Sequence, residues 1–452
     1  MPDSAQGRWR VLVLGGGFAG YYAARKLGKL RKAGVPLEVT LVSGENFLLF
    51  TPMLHEVAAS DVDPSNIVVP LRKYLPGVNV AIAQVQAIEL KKKEVTVVHG
   101  PQAHRHSLSY DYLLIALGSV TNFHNLPGVE ENSITMKSLE DAFYLRNHMI
   151  RELERAELDA GQGIASKTLT FTVCGGGFAG VETVGAMMDF LQDATAFYPH
   201  LRRDMIRVVL VHSGPQLLPE LGGRLGVYAH KKLCQRGVGV RLDAAVHGFR
   251  DGAVLVSENG AETAIRTNTV VWTAGVMPAA VVEGLPCASE KGRLVTKPTM
   301  ELAERSGVYA VGDCAAIPRP GCPSEYYGPT AQNAMRQGEL AASNILAAIR
   351  GRPQRPFAYR ELGQLAAIGN RRGVAKVLGV QFSGILAWWF WRTVYLYKLP
   401  GFQKKLRVAL DWTLDIVFSK DIIQFRTPRI PAMDRPVTAP AAEGGDVTRR
   451  VA

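Results

Sequence analysis

The 452-residue sequence contains few cysteines. The five are Cys174, Cys234, Cys287, Cys314 and Cys322. No two of them form a Cys-x-x-Cys pair, and their odd number argues against a framework of disulfides. The absence of such a pair also argues against dithiol redox chemistry and against a zinc site. We therefore expect a reduced compartment and no bound metal.

A long uncharged apolar run is also absent. No stretch reaches the roughly 18 apolar residues that would span a bilayer, and the first ten residues, MPDSAQGRWR, contain no apolar core typical of a secretory signal. The net charge is +12, but the basic residues do not form long blocks. The short run Lys91 to Lys93 lies beside a strand-like stretch and predicts a solvated hairpin. We expect a cytoplasmic protein that does not bind nucleic acid.

The sequence contains one hexapeptide, GGGFAG, twice. It occurs as VLVLGGGFAGYYAARKL and again as FTVCGGGFAGVETVGAMM, each time between a predicted strand and a predicted helix that leads to another strand. In such a turn the first glycine permits a tight bend, the second lets the backbone approach a pyrophosphate, and the third lets helix and strand pack closely. The two turns therefore predict two dinucleotide sites. The glycines concerned are Gly15, Gly17, Gly20, Gly175, Gly177 and Gly180.

The order of the strands predicts an α/β fold with two Rossmann-like domains. The apolar strand YDYLLIALGS ends at Gly118, and the much later strand SGVYAVGDCA ends in Gly312 and Asp313. A dinucleotide site completed so late suggests a discontinuous FAD domain, with the NAD(P)H domain inserted between its parts. The expected segments are 8–160 and 291–380 for the FAD domain, 161–290 for the NAD(P)H domain, 381–426 for a C-terminal helical region, and 427–452 for a disordered Pro/Ala/Gly-rich tail.

Several motifs resemble those of a known family. The two glycine turns, TAGV and YAVGDCA are similar to flavoproteins of the disulfide-reductase type, without their catalytic cysteine pair. FLLFTPMLHEVAA, PTAQNAMRQG and GILAWWFWRTVYLYKLPGFQKKLRVALDW resemble segments of type II NADH:quinone oxidoreductases, the single-subunit NADH dehydrogenases that pump no protons. The resemblance covers roughly residues 8–426. It implies non-covalent FAD, NADH as the hydride donor, and a membrane quinone as the acceptor of two electrons.

The resemblance also implies roles for three polar residues. Glu182 matches a glutamate near nicotinamide, flavin and quinone, and Gln332 matches a glutamine at the quinone and flavin edge. These two are the candidate catalytic residues, and Gln332 and Gln337 are the candidate quinone contacts. Other interpretations stay open at this point: Glu182 as a charge in the first turn of a helix, and the two glutamines as ordinary polar helix residues.

Further residues are expected around the cofactors. Asp313 would bind the ribityl chain, Pro52 would shape the flavin pocket, and Ala274 and Gly275 in TAGV would lie near the nicotinamide. Gly118 and Gly312 would contact FAD.

Two positions depart from the usual dinucleotide pattern, which places an acidic residue after the second strand to bind ribose hydroxyls. In the first unit Ser43 stands there, with Glu45 two residues on, and we expect one of them to bind the FAD ribose. In the second unit His212 and Ser213 stand there. The missing carboxylate leaves NADPH use open beside NADH.

Residues 384–397 are rich in aromatic side chains, including Trp388, Trp389, Trp391, Tyr395 and Tyr397. Residues 384–426 also contain seven Lys or Arg and three Asp or Glu. This combination is typical of a segment that lies at an anionic lipid surface. We expect peripheral attachment to the inner face of the cell membrane. A core or dimer helix is the alternative, and a homodimer stays open.

Three other functions are alternatives on the same scaffold. A sulfide:quinone oxidoreductase would need paired reactive cysteines beside the flavin, and the five cysteines are poorly spaced for that. Another NAD(P)H-dependent flavin oxidoreductase is the second alternative. A redox-sensing flavoprotein similar to apoptosis-inducing factors, which binds NADH with little turnover, is the third.

Overall fold

The computed structural model of the chain describes residues 7–163 and 169–425. The helices in these residues are α1 (Phe18–Lys32), α2 (Leu54–Ala58), α3 (Leu71–Tyr74), α4 (Val129–Asn132), α5 (Leu139–Gly161), α6 (Phe178–Thr195), α7 (Gly223–Gln235), α8 (Ala280–Glu283), α9 (Ala331–Ile349), α10 (Ile385–Lys398) and α11 (Phe402–Val417).

The strands in the same residues are β1 (Trp9–Leu14), β2 (Leu37–Ser43), β3 (Phe47–Leu49), β4 (Val68–Pro70), β5 (Asn79–Ile82), β6 (Gln84–Glu89), β7 (Glu94–His99), β8 (His104–Ser109), β9 (Tyr112–Ile115), β10 (Val120–Thr121), β11 (Ser133–Thr135), β12 (Leu169–Cys174), β13 (Ile206–Val211), β14 (Val238–Arg241), β15 (Ala244–Arg250), β16 (Ala253–Glu258), β17 (Ala261–Arg266), β18 (Thr269–Trp272), β19 (Val276–Met277), β20 (Ser289–Glu290), β21 (Arg293–Val295), β22 (Val308–Ala310), β23 (Ala315–Ala316), β24 (Pro318–Arg319), β25 (Cys322–Tyr326), β26 (Gly363–Ala367), β27 (Gly373–Val377) and β28 (Val380–Gly384).

The first large sheet is parallel and has the strand order β22-β9-β1-β2-β5. Short apolar runs form its central strands, as expected where helices cover both faces of a parallel sheet. β22 joins the sheet next to β9 although about 190 residues separate them in sequence. The first domain is therefore discontinuous, as predicted, and Gly312 and Asp313, which follow β22, return the chain to the first glycine turn.

The second large sheet is also parallel, with the order β11-β18-β12-β13-β14. It is built around the second glycine turn, which connects β12 to α6. Its edge strand β11 precedes the long helix α5, so it comes from the segment 8–160 that the sequence assigned to the first domain. The strand pairing therefore does not follow the predicted domain boundary at residue 160. β11 precedes that boundary, but it pairs with β18 of the second sheet and not with a strand of the first sheet.

Each large sheet has an antiparallel three-stranded meander beside it, β6-β7-β8 in the first domain and β15-β16-β17 in the second. Lys91 to Lys93 are exposed in the turn between β6 and β7. This is the solvated hairpin that the sequence predicted.

The C-terminal part consists of the antiparallel sheet β26-β27-β28 followed by α10 and α11. Helix α10 packs on this sheet, and α11 packs on residues 64–67. Trp391 of α10 and Trp412 of α11 belong to the same hydrophobic core as α2, α5 and α6. Among the helices described, none combines the length and the apolar character that crossing a bilayer requires. The predicted disordered tail, 427–452, lies outside the described residues.

Candidate active site

The two glycine turns have the same backbone geometry. Gly15 has φ +104° and Gly175 has φ +119°, in the region that favours glycine. A Cβ atom at Gly20 would collide with the carbonyl oxygen of Gly15, and one at Gly180 would collide with that of Gly175. Each turn therefore requires glycine at its first and third positions so that the helix can begin close to the strand.

The middle glycines, Gly17 and Gly177, are the N-cap residues of α1 and α6. Among the described residues, neither cap has a side-chain hydrogen bond, and no atom lies within 4 Å of a Cβ built at either glycine. The first backbone N–H groups of both helices are thus accessible to an anion, which the helix dipole also favours. This geometry fits two pyrophosphate groups.

One cavity of about 540 Å³ connects the two turns. The first GGGFAG segment contributes Gly17 to its wall, the second contributes Phe178 and Ala179, and Glu182 of α6 also lines it. The residues of the C-terminal half that complete the wall include Gln332, Glu361, Gln364, Tyr395 and Lys398. Both dinucleotide sites therefore open into one space.

The part of the cavity beside α1 fits FAD. The four predicted flavin contacts Pro52, Gly118, Gly312 and Asp313 line it, and their contacts with the flavin remain predictions. The hydroxyl of Ser119 donates to Asp313 Oδ2 at 2.7 Å and accepts from Lys137 Nζ at 2.8 Å. This part would supply N–H groups for the pyrophosphate and a carboxylate acceptor for ribityl hydroxyls, and the ribityl contact of Asp313 remains a prediction.

A second stretch of cavity wall follows β18. Trp272, Thr273 and Gly275 line the cavity, whereas the carbonyl oxygen of Ala274 lies 2.8 Å from the imidazole Nε2 of His124. This wall faces the turn that begins α6, where the inserted dinucleotide would bind. The placement is compatible with the predicted nicotinamide contact, which remains a prediction.

Glu182 is the fifth residue of α6 and is 9% exposed. Its Oε1 accepts hydrogen bonds from the Ala367 backbone N–H at 3.2 Å and from the Trp391 indole N–H at 3.1 Å. Burial raises the pKa of Glu182 to about 8, and the two hydrogen bonds offset part of the rise. Its carboxyl group is therefore mostly protonated at neutral pH. The alternative interpretation, a charge in the first helical turn, is wrong because the residue lies deeper in the helix and is buried.

His55 of α2 is a second buried titratable group beside this carboxyl. Its Nδ1 lies 3.9 Å from Glu182 Oε2, and its ring packs edge-on against Trp391. Burial lowers the pKa of His55 to about 3. The two side chains are thus neutral at physiological pH and do not form an ion pair.

Gln332, the second residue of α9, also lines the cavity. Its Nε2 donates to the carbonyl oxygen of Gly363 at 2.8 Å, and its Oε1 accepts from the Tyr359 hydroxyl at 3.1 Å. The guanidinium of Arg336 stacks on the Tyr359 ring at 4.1 Å. The amide is held in one orientation at the cavity wall.

Gln337 is placed differently from the prediction. It is buried and is not among the described residues that line the cavity. Its Oε1 accepts the backbone N–H of Gly312 at 2.8 Å. The side chain therefore holds the backbone beside Asp313 and does not face the quinone candidate Gln332, because Gln337 lies on another face of α9.

Two family models match the chain in sequence order. The model for pyridine nucleotide-disulphide oxidoreductases matches residues 9–338, and the model for the NDH2 C-terminal domain matches residues 362–421. A type II NADH:quinone oxidoreductase of Mycobacterium tuberculosis is 30% identical over 91% of this chain and 89% of its own length. The chain belongs to the type II NADH:quinone oxidoreductases. The predicted family resemblance is confirmed.

Two other proteins are similar over nearly the whole chain. A demethylphylloquinone reductase of Synechocystis is 30% identical, with coverage of 90% of this chain and 96% of that relative. A solved structure of NDH2 from Plasmodium falciparum in complex with NADH covers 92% of this chain and all of that chain, with a TM-score of 0.84 at 18% identity. The latter likeness shows the fold.

Some C-terminal aromatic residues of this type II enzyme face solvent, and others are buried in the protein core. Trp389 and Tyr397 are 66% and 81% exposed, whereas Trp391 and Trp412 are buried. Trp391 donates to Glu182, and Trp412 donates its indole N–H to Glu56 Oε2 at 3.0 Å. The expectation that the aromatic rings of this segment lie together at the membrane surface is therefore wrong for these two tryptophans.

The cysteines do not support sulfide chemistry. All five lie in the described part of the chain, and none lines the cavity. Burial raises the pKa of the Cys174 thiol to about 12 and that of Cys314 to about 11, so neither forms a thiolate readily. In the described ranges no group of three or more His, Cys, Asp or Glu is arranged to hold a metal ion.

The ribose candidates lie at the ends of the expected strands. Ser43 is the buried last residue of β2, and Glu45 is exposed two residues later. His212 follows β13, and its Nδ1 accepts the Gly176 N–H at 3.1 Å. The imidazole is therefore engaged with the second glycine turn, and the ribose roles of these three residues remain predictions.

Sequence reasoning did not identify four residues of the site. Lys137, Tyr395 and Lys398 line the cavity, and His55 lies beside Glu182. The sequence did contain a signal for Lys398, because this basic residue directly follows the aromatic run and is the last residue of α10. The other three reach the site through packing between distant elements.

Proposed function

We propose that this chain catalyses the oxidation of NADH and the reduction of a quinone, with FAD as its bound cofactor and without proton pumping. One observation carries the proposal: a single cavity is lined by both open glycine turns and by Glu182 and Gln332. When bound, FAD accepts a hydride from NADH and passes two electrons to the quinone. The chain's own residues bind the cofactors, orient the quinone and protonate it.

Glu182 is the proton donor to the reduced quinone. It is buried, lines the cavity and carries a proton at neutral pH, because its pKa is raised to about 8. A general acid works best when its pKa lies near the working pH. Glu182 meets that condition, and it is the carboxyl group of the cavity wall whose pKa burial raises to about 8.

Gln332 and Lys398 orient the quinone. The Gln332 amide is fixed by Gly363 and Tyr359, so its position at the wall is set before a ligand arrives. Burial lowers the pKa of Lys398, and the nearby charge of Arg336 lowers it further. The Lys398 ammonium group supplies a hydrogen-bond donor for a quinone carbonyl oxygen.

NADH is the hydride donor, and the position that usually excludes NADPH lacks its carboxylate. The residues after β13 are His212, Ser213 and Gly214, so no carboxylate stands there to repel a 2′-phosphate. Because His212 is engaged with Gly176, the next residue, exposed Ser213, is the candidate to contact the ribose.

The enzyme binds the inner face of the membrane through α10 and α11. These helices expose large apolar side chains, among them Leu386, Trp389, Phe402, Leu406 and Leu410. Lys404, Lys405 and Arg407 lie on the same segment and suit anionic headgroups. Tyr395 and Lys398 of α10 also line the redox cavity, so docking would place a lipid-dissolved quinone near its acceptor site.

A direct assay tests this function. The full chain, loaded with FAD, is mixed with NADH and a short-chain water-soluble quinone, and hydroquinone formation is followed together with NADH consumption. We expect one hydroquinone per NADH. NADH binding and flavin reduction without quinone turnover would contradict the proposal and favour the redox-sensing alternative.

A further inference from the structure

A second cavity, of about 260 Å³, borders Glu182. Glu182 is the one described residue that lines both this cavity and the redox cavity. Its carboxyl group therefore stands between two spaces. The redox cavity contains the cofactor sites, and the proposed function gives no role to the second space.

The second cavity is polar along its length. It begins at the buried residues His55, Glu56 and Glu182 and extends to Asp193 and Arg371, which are exposed. Other titratable residues along its wall are Asp61, Asp189, Arg392, Asp415 and Lys420. The cavity thus joins the buried carboxyl group of Glu182 to solvent through polar groups.

His55 presents a ring nitrogen without a hydrogen-bond partner to this space, as seen among the described residues. The side chain is 6% exposed and lines the cavity, but its Nε2 has no hydrogen-bond partner among the described residues. A buried polar nitrogen without a hydrogen-bond partner destabilises the folded chain. Water in a polar cavity of this size supplies such a partner. The other ring nitrogen, Nδ1, faces Glu182 at 3.9 Å.

Glu56, the neighbour of His55, is the second buried carboxyl in this cavity. Its Oε2 accepts the Trp412 indole N–H at 3.0 Å. Burial raises the pKa of Glu56 to about 7, and the charge of Arg392 is the largest opposing effect, followed by the Trp412 hydrogen bond. Asp415 and Lys420 also face it. Glu56 can therefore take up and release a proton near neutral pH.

The reaction needs a proton from outside. NADH, a quinone and one proton give NAD⁺ and hydroquinone: the hydride brings two electrons and one proton, and hydroquinone has two new O–H bonds. When Glu182 donates its proton to a quinone oxygen, a carboxylate remains in a buried site and must be protonated again before the next turnover. Tyr395 faces Glu182 from α10, but burial raises its pKa well above the usual range, so it does not supply that proton.

We propose that the second cavity is the proton inlet of the enzyme, and that water, Glu56 and His55 return a proton from the surface at Asp193 and Arg371 to Glu182. The proposal rests on the proposed function. A neutral imidazole can donate from one nitrogen while it accepts at the other, so His55 relays the proton without becoming a stable cation.

The test separates the first turnover from the steady state in the FAD-loaded full chain. Glu56→Gln keeps an acceptor for the Trp412 N–H but cannot exchange a proton. His55→Ala leaves a space that added imidazole can fill. In both variants we expect flavin reduction by NADH and the first reoxidation by a short-chain quinone at the wild-type rate, because Glu182 begins protonated. Steady-state turnover should fall about tenfold, increasingly so as the pH rises, and imidazole should restore it in His55→Ala.

Glu152→Gln is the matched control, since Glu152 is a buried carboxylate on α5 that pairs with Arg155 at 2.7 Å and lines neither cavity in the described structure. It should leave all rates unchanged. Steady-state turnover at the wild-type rate in Glu56→Gln and His55→Ala would overturn the proposal of a proton inlet. The proposal would also be overturned if both variants slowed the first turnover and the steady state equally and imidazole had no effect. Should His55→Ala not fold, Glu56→Gln decides alone. Failure of the proposed function itself would instead show in the wild type, as flavin reduction without quinone turnover.

Discussion

The indole N–H of Trp391 donates a hydrogen bond of 3.1 Å to Oε1 of Glu182. Trp391 lies on α10, which also exposes Trp389 and Tyr397 on its outer surface. Glu182 lies on α6, directly after the second glycine turn. The helix proposed to bind lipid therefore also contacts the carboxyl group proposed to protonate quinone, and its inner face belongs to the active site.

Replacing Trp391 with Phe should shift the pH profile of quinone reduction. The indole hydrogen bond lowers the pKa of Glu182, so its loss should raise that pKa further and move the alkaline decline of activity to higher pH. We also expect a loss of about 1–3 kcal/mol in the free energy of unfolding. Trp389→Phe, on the exposed face of α10, is the control. An unchanged alkaline decline in Trp391→Phe would show that the hydrogen bond does not act on Glu182.

The buried carboxyl groups should make stability depend on pH. In the folded chain the pKa of Glu182 is raised to about 8 and that of Glu56 to about 7, above the 4.5 of an unperturbed glutamate. The folded state therefore binds more protons than the unfolded state in this range, and the free energy of unfolding should fall as the pH rises. His55, whose pKa is lowered to about 3, has the opposite effect below its ordinary value of 6.5.

The range from about pH 6.5 to pH 8 avoids the effect of His55. Asp189, whose pKa is raised to about 6, and Lys420, whose pKa is lowered to about 8, also titrate near this range, so the two glutamates are separated by a double variant. Urea unfolding of the wild type and of the double variant Glu56→Gln, Glu182→Gln over this range is the measurement. The wild type should lose stability with rising pH, and the double variant should lose distinctly less. Equal slopes would mean that both glutamates ionise as freely in the folded chain as in the unfolded one.

Lipid binding should depend on the exposed side chains of α10 and α11. Trp389→Ser together with Phe402→Ser removes two large apolar groups, and each buried group of this kind contributes about 1.5–3 kcal/mol. We expect binding to anionic vesicles to weaken at least about tenfold, with turnover of a water-soluble quinone retained. Point variants are preferable to removal of residues 384–452, because that truncation would also remove the buried Trp391 and Trp412.

The control for vesicle binding is Phe197→Ser, which changes an exposed aromatic side chain outside these helices. Binding of the double variant at the wild-type level in a sedimentation assay would assign the apolar surface to another partner. Binding that is insensitive to the anionic lipid fraction would remove the role of the basic residues.

A carboxylate introduced after β13 should make the enzyme more selective for NADH over NADPH. Ser213→Asp places a negative charge at an exposed position next to His212, where it would repel the 2′-phosphate of NADPH. The ratio of kcat/KM for NADPH to that for NADH should fall about tenfold or more. Ser213→Asn, which adds bulk without charge, is the control. An equal ratio in both variants would place the 2′-phosphate elsewhere.

Short-range constraints allowed the glycine turns to be predicted from sequence. The tight bend at Gly15 and Gly175 and the close contacts at Gly20 and Gly180 are properties of one strand-turn-helix unit, so the hexapeptide alone specifies them. The return of β22 to the first sheet was also predictable, because its Gly-Asp ending is a local signal. The family resemblance then pointed to Glu182 and Gln332, which both line the cavity and whose catalytic roles remain predictions.

Contacts between distant elements could not be predicted in the same way. The periodicity of α10 is weak because the helix is apolar on both sides, so the sequence did not separate the buried Trp391 from the exposed Trp389. The position of His55 beside Glu182 depends on the packing of α2 against α6. The sequence likewise did not show which face of α9 lines the cavity. In the fold, Gln337 lies on the face that contacts Gly312.

Single-turnover kinetics of Glu182→Gln test the central claim most directly. The enzyme is first reduced with one equivalent of NADH and then mixed with a short-chain quinone, and the flavin absorbance reports both steps. We predict that reduction by NADH stays near the wild-type rate, while reoxidation by quinone slows about 100-fold and no longer declines above about pH 8. Reoxidation at the wild-type rate, with the wild-type pH dependence, would contradict the assignment of Glu182 as the proton donor.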